Sequence, residues 1–422
     1  MAPHPEREMV FGTQPIRDVQ IVRKVNRGTV LELLRRKGPL SRTAIARAVR
    51  LTPPTCFSII DELVASGLAH CTETARSAPG RPRAIFEFNP SAAFSLGVDL
   101  SYASFVGVLT NLSGEVLEER WQPRPDPPDV DRVAEWISAF VKDVSRSPRL
   151  DPAKLLGIGV STPALLDAGL ERVLRSTNLN WRDVPLASRL AEALGIEVHL
   201  ENNARAIALA ERWFGVGQDV QHLACINIGM GISMGLIVNG MLHRGVSIHS
   251  GELGHTIVDP TGLPCRCGRH GCLEMVASGR AILHTVAEAI RQGRSSTLLA
   301  AADGNPAHIT IDMVTRAADE GDPLARETVL AAATKTGYAL SNALVLLDTG
   351  MVVLSGSLIH SSHLTFDTVV DIVRRTVLTS PNRTEELPVV RARLGQLAGA
   401  IGAAGIVHQR RMALYDAVRV VH

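Results

Sequence analysis

The sequence predicts a winged helix-turn-helix domain at the N-terminus followed by a larger α/β body. Three observations lead there. Basic residues crowd the first ninety positions, helical periodicity in that region is broken by short turns, and beyond Phe94 apolar strand-like runs alternate with helical ones. A chain of 422 residues exceeds one ordinary core and suits two or three domains at roughly 150 residues each. It holds no run of about 18 uncharged apolar residues, the length a membrane span needs. Residues 1–15, rich in proline and charge and expected to be disordered, lack the apolar stretch of a secretory signal. The expectation is a soluble cytoplasmic protein with no membrane partner. Thiols stay reduced in that compartment, so clustered cysteines point to metal or redox chemistry before disulfides.

Between Arg17 and Pro90 thirteen Lys/Arg face six Asp/Glu, although the whole chain carries only +2. That asymmetry suits a nucleic-acid-binding head on a neutral body. From Ile16 to Lys37, Val19, Val22, Val25, Val30, Leu33 and Leu34 recur at helical spacing, and Gly38-Pro39 ends the helix. Ser41 then N-caps a short helix through Val49. Thr52 caps another over Pro53–Ser66, whose first turn holds prolines where a missing N–H costs nothing. Phe57, Ile60, Leu63 and Val64 are expected on its inner face, and Gly67 stops it. Two helices across a short turn are the helix-turn-helix pattern, the second member entering the major groove. The run "AHCTETARSAPGRPRAIFEFNP" reads as two short strands around a glycine-containing tip, a wing. Arg81 and Arg83, flanking Pro82, suit a narrow A·T minor groove. A winged domain over 16–90 follows, with Arg42, Thr52, Thr55, Ser58, Arg81 and Arg83 as candidate contacts to double-stranded operator DNA. Thr55, Cys56 and Ser58 are small for base reading, which leaves much of the affinity to phosphates and the wing. A small helical protein-interaction domain with a charged face is the alternative. Capping, spacing, wing and charge together favour DNA.

The body opens with "FSLGVDL", "SFVGVLTNL", a turn at Asn111 to Gly114 and "EVLEER", an antiparallel meander. Further strand-like runs follow at 155–161, 196–202, 222–242 and 351–357, separated by helical stretches such as Ala204 to Trp213 and Arg326 to Leu347. One stretch of the body carries chemistry: "GELGHTIVDPTGLPCRCGRHGCLE", residues 251–274. Cys265, Cys267 and Cys272 offer three thiolates and His255 an imidazole, the tetrahedral set that structural zinc favours. With no position left open, such a zinc would not activate water. A reactive thiol is the alternative, weakened by four ligand side chains converging within eighteen residues. Cys56, Cys71 and Cys225 lie scattered and are expected to be inert packing residues. A closed metal site would fix Glu252 and Glu274, and paired carboxylates accept hydrogen bonds from vicinal hydroxyls of a sugar.

"GVDL" (97–100), "LENNARAIALAE" (200–211), "GELGH" (251–255), "CRCGRHGCLE" (265–274) and "VVLSGSL" (352–358), in this order, resemble the ROK family, whose name joins repressors, open reading frames and sugar kinases. The head, with "NRGTVLELLRRKGPLSRTAIARAV" and "GRPRAIFEFNP", is similar to its repressor branch, of the xylose-repressor type. Together these cover nearly the whole chain from Arg17 onward. The resemblance implies a two-lobed, actin-like body of the sugar-kinase and Hsp70-like ATPase kind, with one lobe at 91–208 plus 395–422 and the other at 209–394. It implies the same four zinc ligands and places Glu252, His255, Glu274, Asn202, Asn203 and Asn178 against sugar hydroxyls. The strand-end position of Asn202 and Asn203 agrees independently, since α/β crevices open at the carboxyl ends of strands. Asn178, in "STNLNW", suits a turn equally well.

The same resemblance argues against catalysis. Kinases of the family carry the catalytic aspartate directly after the first asparagine of the "EN" motif, where this chain has Asn203, and an amide takes no proton at neutral pH. They also carry Gly-Gly-Thr after the strand aspartate. Here Asp99 is followed by Leu100, Ser101, Tyr102 and Ala103, whose side chains crowd a phosphate approach. Gly229, Gly231 and Gly235 keep part of a second glycine-rich stretch, which a tight strand connection explains equally, so ATP binding is not expected. The expectation is a sugar-responsive regulator, a repressor of carbohydrate-utilisation genes with structural zinc, acting as a homodimer or homotetramer and not as an enzyme. The alternatives are an active sugar kinase with an appended DNA-binding domain, and a DNA-bound protein with a vestigial pocket and a protein effector.

Overall fold

The computed structural model describes residues 19–73, 84–102, 104–125, 128–377 and 386–412. The expected disordered stretch 1–15 lies outside them. The chain divides into two compact units, with the boundary between Asn89 and Pro90.

In the first unit α1 (Val19–Lys37) buries Val30, Leu31 and Leu34, and Gly38, at φ +72°, ends it. β1 (Leu40–Ser41) leads into α2 (Arg42–Val49), where the Ser41 hydroxyl accepts the Ala44 N–H at 3.3 Å, as a cap should. α3 (Pro53–Ala65) follows, and β2 (Ala69–Glu73) pairs antiparallel with β3 (Ala84–Phe88), giving the sheet order β1-β3-β2. The inner face of α3 differs from the expected one. Cys56, Ile59, Ile60 and Leu63 are buried, while Phe57 and Val64 are only half-buried, because the helix packs against both α1 and α2 and turns its Cys56–Ile60–Leu63 edge inward. Thr52 sits at the N-cap position without capping. With prolines at the first two positions removing N–H partners, its hydroxyl pairs with that of Thr55 at 2.8 Å. Cys71 is exposed and so is no packing residue, unlike buried Cys56 and Cys225. Glu32 is buried between Arg35 and Arg36; burial pushes its carboxyl up, but the two guanidinium groups outweigh that and hold it below the ordinary glutamate value.

In the second unit β4 (Phe94–Leu100), β5 (Ser104–Asn111) and β6 (Val116–Pro123) form the expected meander. After α4 (Val130–Val144), β7 (Leu155–Thr162) joins β4 in parallel. A small sheet that the sequence pattern did not reveal comes next: β8 (Leu165–Leu166), β9 (Val173–Ser176) and β10 (Trp181–Val184). α5 (Leu186–Leu194) leads to β11 (Val198–Asn202), so the first large sheet reads β11-β7-β4-β5-β6. Beyond α6 (Asn203–Trp213), the run at 222–242 resolves into β12 (Leu223–Ile228), β13 (Ile232–Val238) and β14 (Met241–His243). Helices α7 (Glu274–Ala277), α8 (Gly279–Arg291), α9 (Thr297–Ala301), α10 (Ile311–Glu320) and α11 (Pro323–Leu347) precede β15 (Met351–Ser355). Then α12 (Ser357–Ser361), α13 (His363–Thr376) and β16 (Val389–Arg391) complete a second sheet of order β14-β13-β12-β15-β16. Each large sheet has its own core, around Leu96, Val98, Val160 and Leu200 in one and Ile226, Leu236, Leu340 and Leu354 in the other.

The last helix, α14 (Ala398–Met412), returns to the first sheet and lies close upon it. A Cβ at Gly159 would stand 1.9 Å from the Ala403 carbonyl oxygen, and one at Gly97 the same distance from that of Ala400. Hence the strands read "GIGVS" and "SLGVDL" and the helix "AGAIGAAGI": contact this tight admits no side chain on either strand. Among the described residues no helix is long and apolar enough to cross a membrane.

Candidate functional site

His255, Cys265, Cys267 and Cys272 bring one ligand atom each to within 4.8 Å of one another. The His255 Nδ1 stands 3.6 Å from the Cys265 Sγ, and the Cys267 and Cys272 sulfurs are 3.6 Å apart. Around a zinc with bonds of about 2.3 Å to sulfur and 2.0–2.1 Å to nitrogen, a tetrahedron has edges of roughly 3.6–3.8 Å. The four side chains therefore fit a metal of that size. Their protonation points the same way. Burial raises Cys267, but hydrogen bonds from the Arg269 backbone N–H and guanidinium, joined by those of Cys265 and Cys272, together outweigh it and draw that thiol down to about 6. Burial, with the hydrogen bonds its thiol donates to its two sibling sulfurs, pushes Cys272 up to about 12. Three sulfurs this close cannot all ionise without a cation among them.

The cluster of three cysteines and one histidine reaches Glu252 through one imidazole. With Nδ1 turned to the sulfurs, His255 presents Nε2 to Glu252, 4.0 Å away. Glu252 belongs to a loop laid on β13: the Met234 N–H donates to the Gly251 carbonyl at 2.8 Å, and Gly251, at φ +92°, would drive a Cβ to 1.9 Å from the Met234 carbonyl oxygen. Only glycine fits there, the physical reason for the first residue of Gly-Glu-Leu-Gly-His. Burial pushes the Glu252 carboxyl above the ordinary value, against the pull of His255 and Arg205. Glu274 opens α7; its Oε2 accepts the Ile232 N–H at 3.2 Å and its Oε1 an Arg280 guanidinium nitrogen at 2.6 Å. The other nitrogen of that guanidinium donates to the Asn178 Oδ1 at 2.9 Å, so Asn178, at the β9–β10 turn, does lie beside Glu274. Asn202 is largely occupied by the fold, its Oδ1 capping α6 at the Ala204 N–H and its amide donating to the Ala164 carbonyl. The Asn203 Oδ1 also accepts the Ala204 N–H, at 2.9 Å.

Two groups here escaped the sequence reading. Glu201, fully buried beside Asn202, is paired with Arg205 at 2.6 Å and Arg244 at 2.7 Å. Arg205 further donates to the Ile248 carbonyl, tying the loop that carries Glu252 to β11. The second is Arg280. An arginine two residues beyond a helix cap has no signal of its own in one sequence.

Asp99 ends in the interior, accepting a hydrogen bond from the Ser161 hydroxyl at 2.5 Å; burial lifts its carboxyl to about 6, against the pull of that hydroxyl. A carboxyl raised on folding stabilises the protein below its unfolded value and loses that contribution as pH climbs through the folded value. Asp99→Asn is therefore expected to remove a fall in stability between about pH 4 and pH 6, and to gain on the order of 3 kcal/mol above it. Urea midpoints across that range, wild type against variant, check this. A wild-type profile flat from pH 4 to 7 would contradict it. The turn after Asp99 closes on itself, with the Ser101 hydroxyl bonded to the Ser104 carbonyl at 2.8 Å. Gly235 and Gly231 also serve packing, since a Cβ would meet Ala208 at 2.4 Å and the Glu274 Oε2 at 2.8 Å.

On the first unit, Thr52, Thr55 and Ser58 share the exposed face of α3. Arg47, in the last turn of α2, and Arg50, which caps it, are exposed as well. Arg42 is bound to the unit itself, ion-paired with Asp61 at 2.5 Å and lying 4.9 Å over the Phe86 ring. Arg23 reaches the Ser58 hydroxyl at 3.3 Å and is ion-paired with Glu62. Arg81 and Arg83 lie outside the described residues.

Residues 95–410 match the ROK family and residues 26–69 a winged helix-turn-helix DNA-binding family. The xylose repressor of Bacillus subtilis is 29% identical over 395 residues, 93% of this chain and 97% of that protein. Among solved structures, a ROK family transcriptional regulator, a homolog of the E. coli MLC protein, superposes with a TM-score of 0.77 at 29% identity over 94% of this chain and 98% of its own. A ROK family glucokinase from Streptomyces griseus, in complex with glucose and AMPPNP, gives 0.67 at 28% identity, covering all of the kinase but only 75% of this chain. The uncovered quarter leaves room for the winged head. The chain belongs to the ROK family, and it is built as that family's transcriptional regulators are, with a DNA-binding domain ahead of the shared body.

Proposed function

We propose that this protein is a cytoplasmic, sugar-responsive transcriptional repressor of carbohydrate-utilisation genes, binding operator DNA as a homodimer or homotetramer. The observation that carries the reading is the chain of contacts from the cluster of three cysteines and one histidine through His255 to Glu252, placed in a body that follows a winged helix-turn-helix. Zinc suits the ligand set and would hold the His255 ring so that Nε2–H points at Glu252, a carboxylate–histidine–metal relay. Glu252 and Glu274 then take sugar hydroxyls, with Asn178, Asn202, Asn203 and the edge of His255 around them. Asn202 has one amide hydrogen and one lone pair left for that work. The sugar would favour one closure of the lobes 91–208 with 395–422 and 209–394, changing how two winged domains (16–90) present α3 and the wing arginines to two half-sites. Arg42, Thr52, Thr55, Ser58, Arg81 and Arg83 are the proposed DNA contacts, Arg42 acting by bracing the head as much as by reaching a phosphate. Coupling of this kind amounts to about 1–3 kcal/mol, a 5- to 150-fold change in operator affinity.

The test is fluorescence anisotropy on DNA from the promoter region of the protein's own gene, titrated with monosaccharides and their phosphates. One sugar should weaken binding within that range, and Glu252→Ala should abolish the response while leaving sugar-free DNA binding intact. Indifference to every sugar would overturn the reading. A kinase is disfavoured by Asn203, and a single change should not create one: Asn203→Asp is expected to show no ATP consumption with any hexose or pentose, because Tyr102 and its neighbours still occupy the turn after Asp99. Turnover by that variant in a coupled ADP assay would show the phosphate site to be intact.

A further inference from the structure

We propose that Arg124 and Arg280 form an anion subsite at the edge of the sugar pocket, which takes a phosphate or carboxylate carried by the effector itself. The inference deepens the sugar-pocket reading and rests on it. Both guanidinium groups converge on Asn178, Arg124 donating to its carbonyl oxygen at 2.6 Å and Arg280 to its Oδ1 at 2.9 Å. Both also face the Tyr102 ring, at 5.3 Å and 5.8 Å from its centroid. Against these two charges stands one carboxylate, Glu274, bonded to Arg280 at 2.6 Å. Among the described residues no carboxylate is in ion-pair reach of Arg124. Tying Asn178 to Glu274 needs only Arg280; Arg124 adds a single bond to the Asn178 backbone, which leaves its charge uncompensated by a carboxylate among the described residues. Two like charges sharing one asparagine and one ring repel each other, and an anion between them relieves that repulsion.

The position selects the ligand. Glu274 is one of the two carboxylates assigned to sugar hydroxyls, and Arg280 touches it directly. An anion held by Arg280 and Arg124 therefore lies one substituent away from a sugar ring held by Glu274 and Glu252. Arginine forks match the oxygens of phosphate and carboxylate, and each charge-assisted hydrogen bond contributes roughly 10- to 150-fold in affinity. Both cations lie beside the Tyr102 ring, which lends the subsite an aromatic wall. That suits a compact anion on a sugar better than the bare-backbone cradle a nucleotide triphosphate takes.

Isothermal titration of the zinc-replete full chain tests this with xylose, glucose and N-acetylglucosamine, their phosphate esters, the matching sugar acids, inorganic phosphate and ATP. A charged derivative should bind at least about 10-fold tighter than its neutral parent. Arg124→Gln should reduce that preference to under about 3-fold and lower charged-sugar affinity more than neutral-sugar affinity, since Arg124 touches Asn178 only at its backbone carbonyl and touches neither Glu274 nor the metal loop. Arg280→Gln should lose both the preference and part of the neutral affinity. Equal binding of charged and neutral forms by the wild type would overturn the subsite, as would a preference that survives in Arg124→Gln. Inorganic phosphate or ATP binding in place of any charged sugar would overturn the assignment to the effector. Failure of every sugar, neutral or charged, would refute the sugar pocket itself, a result distinct from the loss of charge preference alone.

Discussion

Cys265→Ser is expected to release the metal, bringing it from about one zinc per chain to near none, and to lower the melting temperature by about 10 °C or more. Cys265 is buried, and with Cys267 and Cys272 it offers three of the four side chains that could hold the metal. Serine oxygen is a poor substitute for thiolate on zinc. Without the metal the segment from His255 to Cys272 would be held by its backbone bonds, among them those of the Ile257–Cys272 and Pro264–His270 bridges. Structural zinc supplies about 10–16 kcal/mol of apparent binding energy in small zinc-finger peptides. Here the second sheet has an apolar core of its own, so the variant is expected to fold with the loop and α7 loosened, the unit's stability falling by only a part of that energy. Atomic absorption on the purified protein measures the metal and calorimetry the stability; a chelator should reproduce the variant's behaviour in wild type and change nothing further in the variant. Unchanged metal content in Cys265→Ser would refute the ligand assignment. The functional consequence is specific: without metal on Nδ1, His255 no longer holds Nε2 toward Glu252, and sugar response should go before DNA binding does.

Why was this cluster legible in the sequence while Arg280 and Glu201 were not? Ligand chemistry is local. Three thiols and an imidazole within eighteen residues leave few alternatives, and glycines at 251, 268 and 271, all at positive φ, mark where the chain must bend around them. The helix-turn-helix was legible for a similar reason, since the Ser41 cap, the proline start of α3 and the stops at Gly38 and Gly67 each act within one turn of the chain. What failed was whatever depends on the partner element. Phe57 has the right spacing for the inner face of α3, yet it lies half-buried with Arg42 stacked 5.4 Å over its ring, a contact that needs α2 in place. The β8-β9-β10 sheet has strands of two to four residues, too short for alternation to register, although it carries Asn178 to the pocket. Arg280 meets Asn178 across 102 positions. Contacts that long in sequence exist only once both sheets have formed.

Glu201 is where such a contact bears most weight, and Glu201→Ala is expected to cost about 3–5 kcal/mol, roughly 10 °C in melting temperature. The carboxylate is fully buried and holds Arg205, itself buried, and the half-buried Arg244. Removing it leaves a guanidinium in the interior with no anion, which is far worse than never having had the pair. Its pH behaviour separates it from Asp99. Burial raises the Glu201 carboxyl, but Arg205 and Arg244 outweigh burial and hold it below the ordinary glutamate value. A depressed carboxyl contributes fully above its unfolded value, about pH 4.3, and loses that contribution only as pH falls through the folded value. The difference between wild type and Glu201→Ala should then be flat from about pH 6 to pH 8 and shrink only in acid, whereas an Asp99 variant differs most above pH 6. Glu201→Gln, which keeps the shape and loses the charge, should retain part of the stability. Both variants should also weaken sugar binding beyond what stability explains, because Arg205 holds the Ile248 carbonyl and so sets the loop that presents Glu252. Sugar affinity measured well below the melting point decides between the two roles. If Glu201→Gln binds sugar as wild type does, the ion pairs serve the core alone; if it binds more weakly at equal foldedness, Glu201 positions the pocket through Arg205.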